Sequence, residues 1–118
     1  MKTVAIFDDD EDILSICTYI LGEQGWAVHT FTDCNEIIDR VEEIRPAVIL
    51  MDNWIPDQGG IAATQLLKSS EELAHIPVVY FSANNDIALL AEQAGATAYL
   101  AKPFDLDDLE RVLTNVIR

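Results

Sequence analysis

The chain has 118 residues, half of them hydrophobic, with 21 acidic residues against 7 basic ones and a formal charge of -14. That length suits a single domain, residues 1-118, with enough apolar material for a substantial core. The charge excludes ready affinity for nucleic acid or an anionic membrane, since both need clustered Lys and Arg.

No stretch approaches membrane-spanning length. The opening Met1 to Phe7 runs straight into acids and resembles neither a secretory signal nor a transit peptide. Cys17 and Cys34 lack metal or redox spacing, and each falls on the apolar face of a candidate helix. They read as reduced, packed thiols, which with the missing leader predicts a cytoplasmic protein.

Five short apolar runs alternate with five amphipathic stretches, which predicts a (βα)5 chain. The strands are expected at Thr3 to Phe7, Ala27 to Phe31, Ala47 to Met51, Val78 to Phe81 and Ala98 to Ala101. Most are continuously apolar, as strands are when helices cover both faces of a parallel sheet. The first helix carries Ile13, Ile16, Cys17, Ile20 and Leu21, with Gly22 and Gly25 as stop signals. The second uses Cys34, Ile37, Ile38, Val41 and Ile44 and must end before Pro46. The third runs from about Gly60 to Ser70 through Ile61, Leu66 and Leu67, after a turn at Pro56-Asp57. The fourth spans about Asp86 to Ala94, with Gly95 as its C-terminal cap. The fifth starts near Asp105 and uses Leu106, Leu109, Val112, Leu113 and Val116, with Asp105, Asp107 and Asp108 opposing the helix dipole. Right-handed crossovers then favour an α/β fold of flavodoxin-like, doubly wound type, with one parallel five-stranded sheet in the order 2-1-3-4-5.

Charged residues stand just past three of these strands: Asp8-Asp9-Asp10, Asp52 and Lys102. Parallel strands end on one edge, so the three stations meet at the switch point where such sheets bind ligands. Clustered carboxylates repel one another unless a cation offsets them, and a hard ion such as Mg2+, for which Mn2+ could substitute, suits oxygen ligands. A carboxylate beside such an ion can act as a nucleophile toward phosphorus, with Lys102 as a point charge on the same oxygens. Asp52, after four apolar residues, is the candidate nucleophile. The bland alternative is that Asp8 to Asp12 only cap the first helix. Ser82 could donate to a phosphoryl oxygen or serve as a turn residue. Tyr99 is expected in the core, and His29 and His75 are expected to be structural or solvent-facing.

The stretches Ile6-Phe7-Asp8-Asp9-Asp10-Glu11-Asp12, Ile49-Leu50-Met51-Asp52-Asn53-Trp54-Ile55-Pro56, Phe81-Ser82-Ala83 and Tyr99-Leu100-Ala101-Lys102-Pro103-Phe104 carry a resemblance. In order and approximate spacing, and over nearly the whole length, the chain resembles the receiver domain of bacterial two-component response regulators. The resemblance implies that Asp52 accepts a phosphoryl group from a phosphohistidine of a sensor histidine kinase or phosphotransfer protein. It implies that Asp9 and Asp52 ligate Mg2+ directly, with Asp8 acting through water and the Trp54 backbone carbonyl as a further ligand. Ser82 and Lys102 would hold the phosphoryl oxygens, and Tyr99 would turn inward on phosphorylation. Lys102-Pro103 would be a cis peptide.

The resemblance further places the output on helix four, strand five and helix five, which would regulate a downstream protein target or effector domain; two copies could pair through the fourth and fifth helices. Kinases of the family dock near Ile16, Cys17 and Ile20 and the loop after strand five. Catalysis would be limited to self-phosphorylation and autodephosphorylation. Bulky Trp54 and neutral Asn84 predict a long-lived phosphoryl group. Asp10 is left between a metal role and a capping role. That nothing follows Arg118 leaves a stand-alone regulator or a domain cut from a longer protein.

Three rivals differ in chemistry. A haloacid-dehalogenase-type phosphatase would use Asp8 as nucleophile, but it needs a longer core and a late acidic pair, whereas Asp107-Asp108 fall in a helix. A flavodoxin-like electron carrier needs a first loop that welcomes phosphate, and an acidic loop repels it. A receiver-like module that binds partners without phosphorylation would have no need of the complete set of site residues.

Overall fold

The computed structural model describes residues 2–53, 59–82, 86–102 and 104–117. Trp54, the Pro56-Asp57 turn, Ala83, Asn84, the Lys102-Pro103 peptide and the side chain of Leu106 therefore lie outside the described residues.

The elements alternate as β1 (Thr3–Phe7), α1 (Glu11–Glu23), β2 (Ala27–Phe31), α2 (Ile37–Ile44) and β3 (Val48–Asp52), then α3 (Gly59–Lys68), β4 (Val78–Ser82), α4 (Ile87–Ala94), β5 (Ala98–Ala101) and α5 (Leu106–Val116). The five strands form one parallel sheet in the order β2-β1-β3-β4-β5. This is the expected doubly wound, flavodoxin-like topology.

Strand periodicity sorts the core into two layers, because successive side chains leave opposite faces of the sheet. Val4, Ile6, Val48, Leu50, Val79 and Phe81 pack with Leu14, Cys17 and Leu21 of α1 and with Leu109 and Leu113 of α5. Ala5, Phe7, Ile49, Met51, Val78 and Tyr80 pack instead against α2, α3 and α4. Continuing the alternation, Asp8 follows Val4 and Ile6, and Asp52 follows Val48 and Leu50. Both carboxylates therefore leave the sheet edge on the α1/α5 side.

Several details depart from the sequence expectation. β3 and β4 each run one residue further, to Asp52 and Ser82, because the ladder pairs Asp52 with Phe81 and Ser82 with Ala101. In α1 the buried residues are Leu14, Cys17 and Leu21, whereas Ile16 is 53% exposed. At 3.6 residues per turn, Ile16 lies about 130° from the centre of that buried arc. Gly22 lies inside α1, and the chain turns at Gly25, whose φ is +90°. Cys34 is buried but precedes α2, because Asp33 Oδ1 accepts from the main chain of Asn35 and from Arg40 in a local turn. In α3 the buried set is Gly60, Ala63, Thr64 and Leu67, and Leu66 is exposed.

α4 ends at Gly95 in left-handed geometry, as expected, and α5 is capped by the Asp105 side chain, which accepts from Asp108 N. His29 and His75 are exposed. Cys17 and Cys34 are free and buried; burial is the main cause that pushes their thiols up to about 11 and about 12. Among the described residues, no helix is long and apolar enough to cross a membrane.

Candidate phosphoacceptor site

Asp8 leaves β1 with its main chain still tied to the sheet, since Asp8 N donates to Phe31 O. Its side chain is almost wholly buried, and Oδ1 accepts from Asp10 N at 2.9 Å. Asp52, the last residue of β3, is buried beside it. Between them stands the Lys102 ammonium, 2.8 Å from Asp8 Oδ2 and 2.9 Å from Asp52 Oδ1. Lys102 is aimed by its own main chain, whose N–H donates to Ser82 O at the end of β4. Its ammonium also lies 4.6 Å from the centroid of the Phe81 ring, which adds a cation–π contact.

Burial by itself would lower the Lys102 pKa, but hydrogen bonds to Asp8 and Asp52, with the charges of both carboxylates, outweigh it and raise the value. The lysine therefore stays charged. Carboxylate oxygens of Asp8, Asp9 and Asp52 all lie within 4.8 Å of one another, with Asp9 exposed at the mouth. Three hard oxygen donors, one of them at the solvent edge, suit Mg2+ or Mn2+, which keep waters and take a small number of carboxylates.

Asp10 is placed elsewhere. Its carboxylate accepts from Asp12 N and Ile13 N and so caps α1, which selects the capping role left open by the sequence. Ser82 is buried and pairs with Ala101, one step beyond the residue that pairs with Asp52. Tyr99 is 50% exposed rather than in the core: β5 is an edge strand, and this ring faces outward. Sequence reasoning missed two neighbours of Asp52. The Tyr80 hydroxyl donates to Asn53 Oδ1, and Gly60 N donates to Asn53 O at 3.1 Å. Burial pushes the Tyr80 phenol up to about 12, with the Asp52 charge adding to it.

An apolar cavity of about 300 Å3 borders the site, lined by Ile13, Ile16, Cys17, Lys102 and Phe104. A larger one of about 500 Å3 lies against α1 and β2 and contains none of the clustered aspartates, so it is set apart from this chemistry.

The sequence profile of the response regulator receiver domain matches residues 4–114. The chain belongs to the response regulator receiver domain family. It is a receiver of the two-component signalling type, a class of signalling module. The polar-differentiation response regulator DivK of Brucella anthropi is 32% identical over 89% of this chain and 87% of its own length. The DNA-binding transcriptional regulator NtrC of Proteus hauseri is 30% identical over 95% of this chain, which spans only 24% of that protein. Among solved structures, the receiver domain of the sensor histidine kinase PA1611 from Pseudomonas aeruginosa, with magnesium coordinated in its active-site cleft, is 28% identical. It has a TM-score of 0.90, covering 98% of this receiver and 97% of that chain.

Proposed function

We propose that this receiver takes a phosphoryl group onto Asp52 from a phosphohistidine of a sensor histidine kinase or phosphotransfer protein. The observation that carries the reading is the Lys102 ammonium shared by two buried carboxylates, with a third carboxylate beside them at the solvent edge. In the forward step an Asp52 carboxylate oxygen attacks phosphorus. The P–N bond breaks, its electron pair returns to the imidazole, which takes a proton from solvent, and an acyl phosphate forms. Hydrolysis reverses the modification when water attacks phosphorus and the carboxylate leaves.

Asp9 and Asp52, with Asp8 through water and the Trp54 carbonyl, would hold Mg2+ or Mn2+, whose charge offsets repulsion between nucleophile and phosphoryl group. Lys102 already faces the Asp52 oxygen and is the point charge for the phosphoryl oxygens. Ser82, at the end of the neighbouring strand, is the second donor to those oxygens.

The kinase would dock over exposed Ile16 and the adjoining apolar cavity beside Lys102. Output would pass through α4, β5 and α5, where Leu89 and Tyr99 are exposed, to a downstream protein target or effector domain. Tyr99 would turn inward on phosphorylation as a population shift. Two copies would pair through α4 and α5. The protein would work in the cytoplasm without turning over a separate substrate. The phosphoryl group is long-lived on this reading; Trp54→Asn should speed its loss, and an unchanged dephosphorylation rate would count against that role.

Intact-mass measurement after incubation with acetyl phosphate and Mg2+ tests the acceptor. One phosphoryl adduct is expected on the parent and on Asp8→Asn at reduced yield, with none on Asp52→Asn or after chelation. An adduct that persists in Asp52→Asn overturns the assignment.

A further inference from the structure

Tyr80 sits in the middle of a central strand, pairs with Met51 on one side and Tyr99 on the other, and is wholly buried on the α3 face. A buried phenol needs a hydrogen-bond partner. Here the partner is the side chain of Asn53, the residue that follows Asp52. The Asn53 main-chain carbonyl is held as well, by Gly60 N at the start of α3. Nothing more fits at this junction. A methyl group on Gly60 would stand 2.1 Å from the Asp52 carbonyl oxygen and 3.0 Å from the Tyr80 hydroxyl.

The phenol, the first turn of α3 and the main chain of Asp52 thus meet in close contact on one side of the sheet. The Asp52 carboxylate emerges on the other, because adjacent residues of an extended chain point oppositely. The hydrogen-bonded link from Tyr80 to Asp52 therefore runs through Asn53 and the backbone, while the Asp52 charge acts on the phenol through space.

We infer that Tyr80 is a positioning residue for phosphoryl transfer: by holding Asn53 it fixes the backbone leaving Asp52 and so tunes how well the carboxylates bind a divalent cation. The inference rests on the proposed role of Asp52. A carboxylate that must serve both as ligand and as nucleophile tolerates little misplacement.

Titration calorimetry with Mg2+ alone, beside the rate of phosphorylation by acetyl phosphate, tests it in Tyr80→Phe, Asn53→Ala and the double variant. Tyr80→Phe keeps the ring and removes one hydroxyl. Its Mg2+ affinity should fall about tenfold, the lower end of the range for groups that orient a metal ligand. Phosphorylation should slow with it while the melting temperature stays near that of the parent. Asn53→Ala breaks the same bond from its partly exposed end and should match in Mg2+ affinity, with a lower melting temperature because the buried phenol loses its acceptor, and the double variant should bind Mg2+ no worse than either single one. Unchanged Mg2+ affinity in both single variants, or single effects that multiply in the double variant, overturns the inference and leaves the Asp52 reading standing. A parent protein that binds no Mg2+ overturns the metal reading and this inference with it.

Discussion

Lys102→Met keeps the length of the side chain and removes the ammonium that stands between Asp8 and Asp52. Those two carboxylate side chains are 1% and 6% exposed, so water cannot replace the ammonium at both. With oxygens within 4.8 Å, each pair of full charges repels by about 3.5 kcal/mol at an effective dielectric of about 20. Removing one partner from a buried ion pair costs about 3–5 kcal/mol. A loss of about 3 kcal/mol is therefore expected in urea unfolding with a chelator present, at the low end because Asp9 and the site mouth admit some water.

Excess Mg2+ reverses the sign of the argument. In the variant no ammonium competes for Asp8 and Asp52, so Mg2+ should bind more tightly than in the parent. A ligand at about 100 times its Kd stabilises by about 2.7 kcal/mol, enough to recover most of the loss. The paired measurement is unfolding with and without Mg2+ in both proteins. A loss of equal size in both media would refute the competition between lysine and metal. A loss under about 1 kcal/mol would place the pair with ordinary exposed salt bridges.

Other outcomes follow from the same geometry. Gly60→Ala would normally favour a helix by about 1 kcal/mol, but here the new methyl meets the Asp52 carbonyl, which cannot swing aside. Overpacking of this kind costs about 1–3 kcal/mol; the melting temperature and the phosphorylation rate should both fall, and a higher melting temperature would contradict the contact. Asp10→Ala should cost about 1 kcal/mol through the lost helix cap, with Mg2+ affinity nearly unchanged; a large drop in affinity would restore Asp10 to the metal site. Burial disfavours the thiolates and holds the thiols at about 11 and about 12, so they cost no stability while the unfolded thiols are protonated, and stability falls as pH rises from the unfolded value of about 8.5 to the folded values. At pH 8 the Cys17 thiolate amounts to about one part in a thousand, so iodoacetamide should label neither cysteine until urea unfolds the chain. Rapid labelling of the native protein would contradict their burial.

What could be read from the sequence was set by periodicity, and what could not was set by rotation and by contacts between distant residues. The shared direction of parallel strands was enough to bring Asp8, Asp52 and Lys102 to one edge, and alternation along β1 and β3 sets the face on which the two carboxylates leave it. That Lys102 would bridge both carboxylates depends on side-chain conformation, which no spacing reveals. In α1 the apolar residues form a stripe wider than the face that packs, so the sequence could not say that Ile16 would be left outside. Tyr99 was misplaced because an aromatic in a strand is usually core, whereas β5 is an edge. Cys34 looked helical until Asp33 was seen to close its own turn. The junction of Tyr80, Asn53 and Gly60 joins β4, β3 and α3 across 27 residues of chain between the hydrogen-bonding side chains. Its sequence signal was limited to a tyrosine where an aliphatic residue would serve the core equally well.

The central claim is that Asp52 is the residue that carries the phosphoryl group. Borohydride reduces an acyl phosphate to the corresponding alcohol, so treatment of the phosphorylated protein followed by peptide mapping locates the acceptor. Homoserine at position 52, with Asp8, Asp9 and Asp10 intact, is the predicted result. Homoserine at position 8, 9 or 10 with Asp52 unmodified would contradict the account.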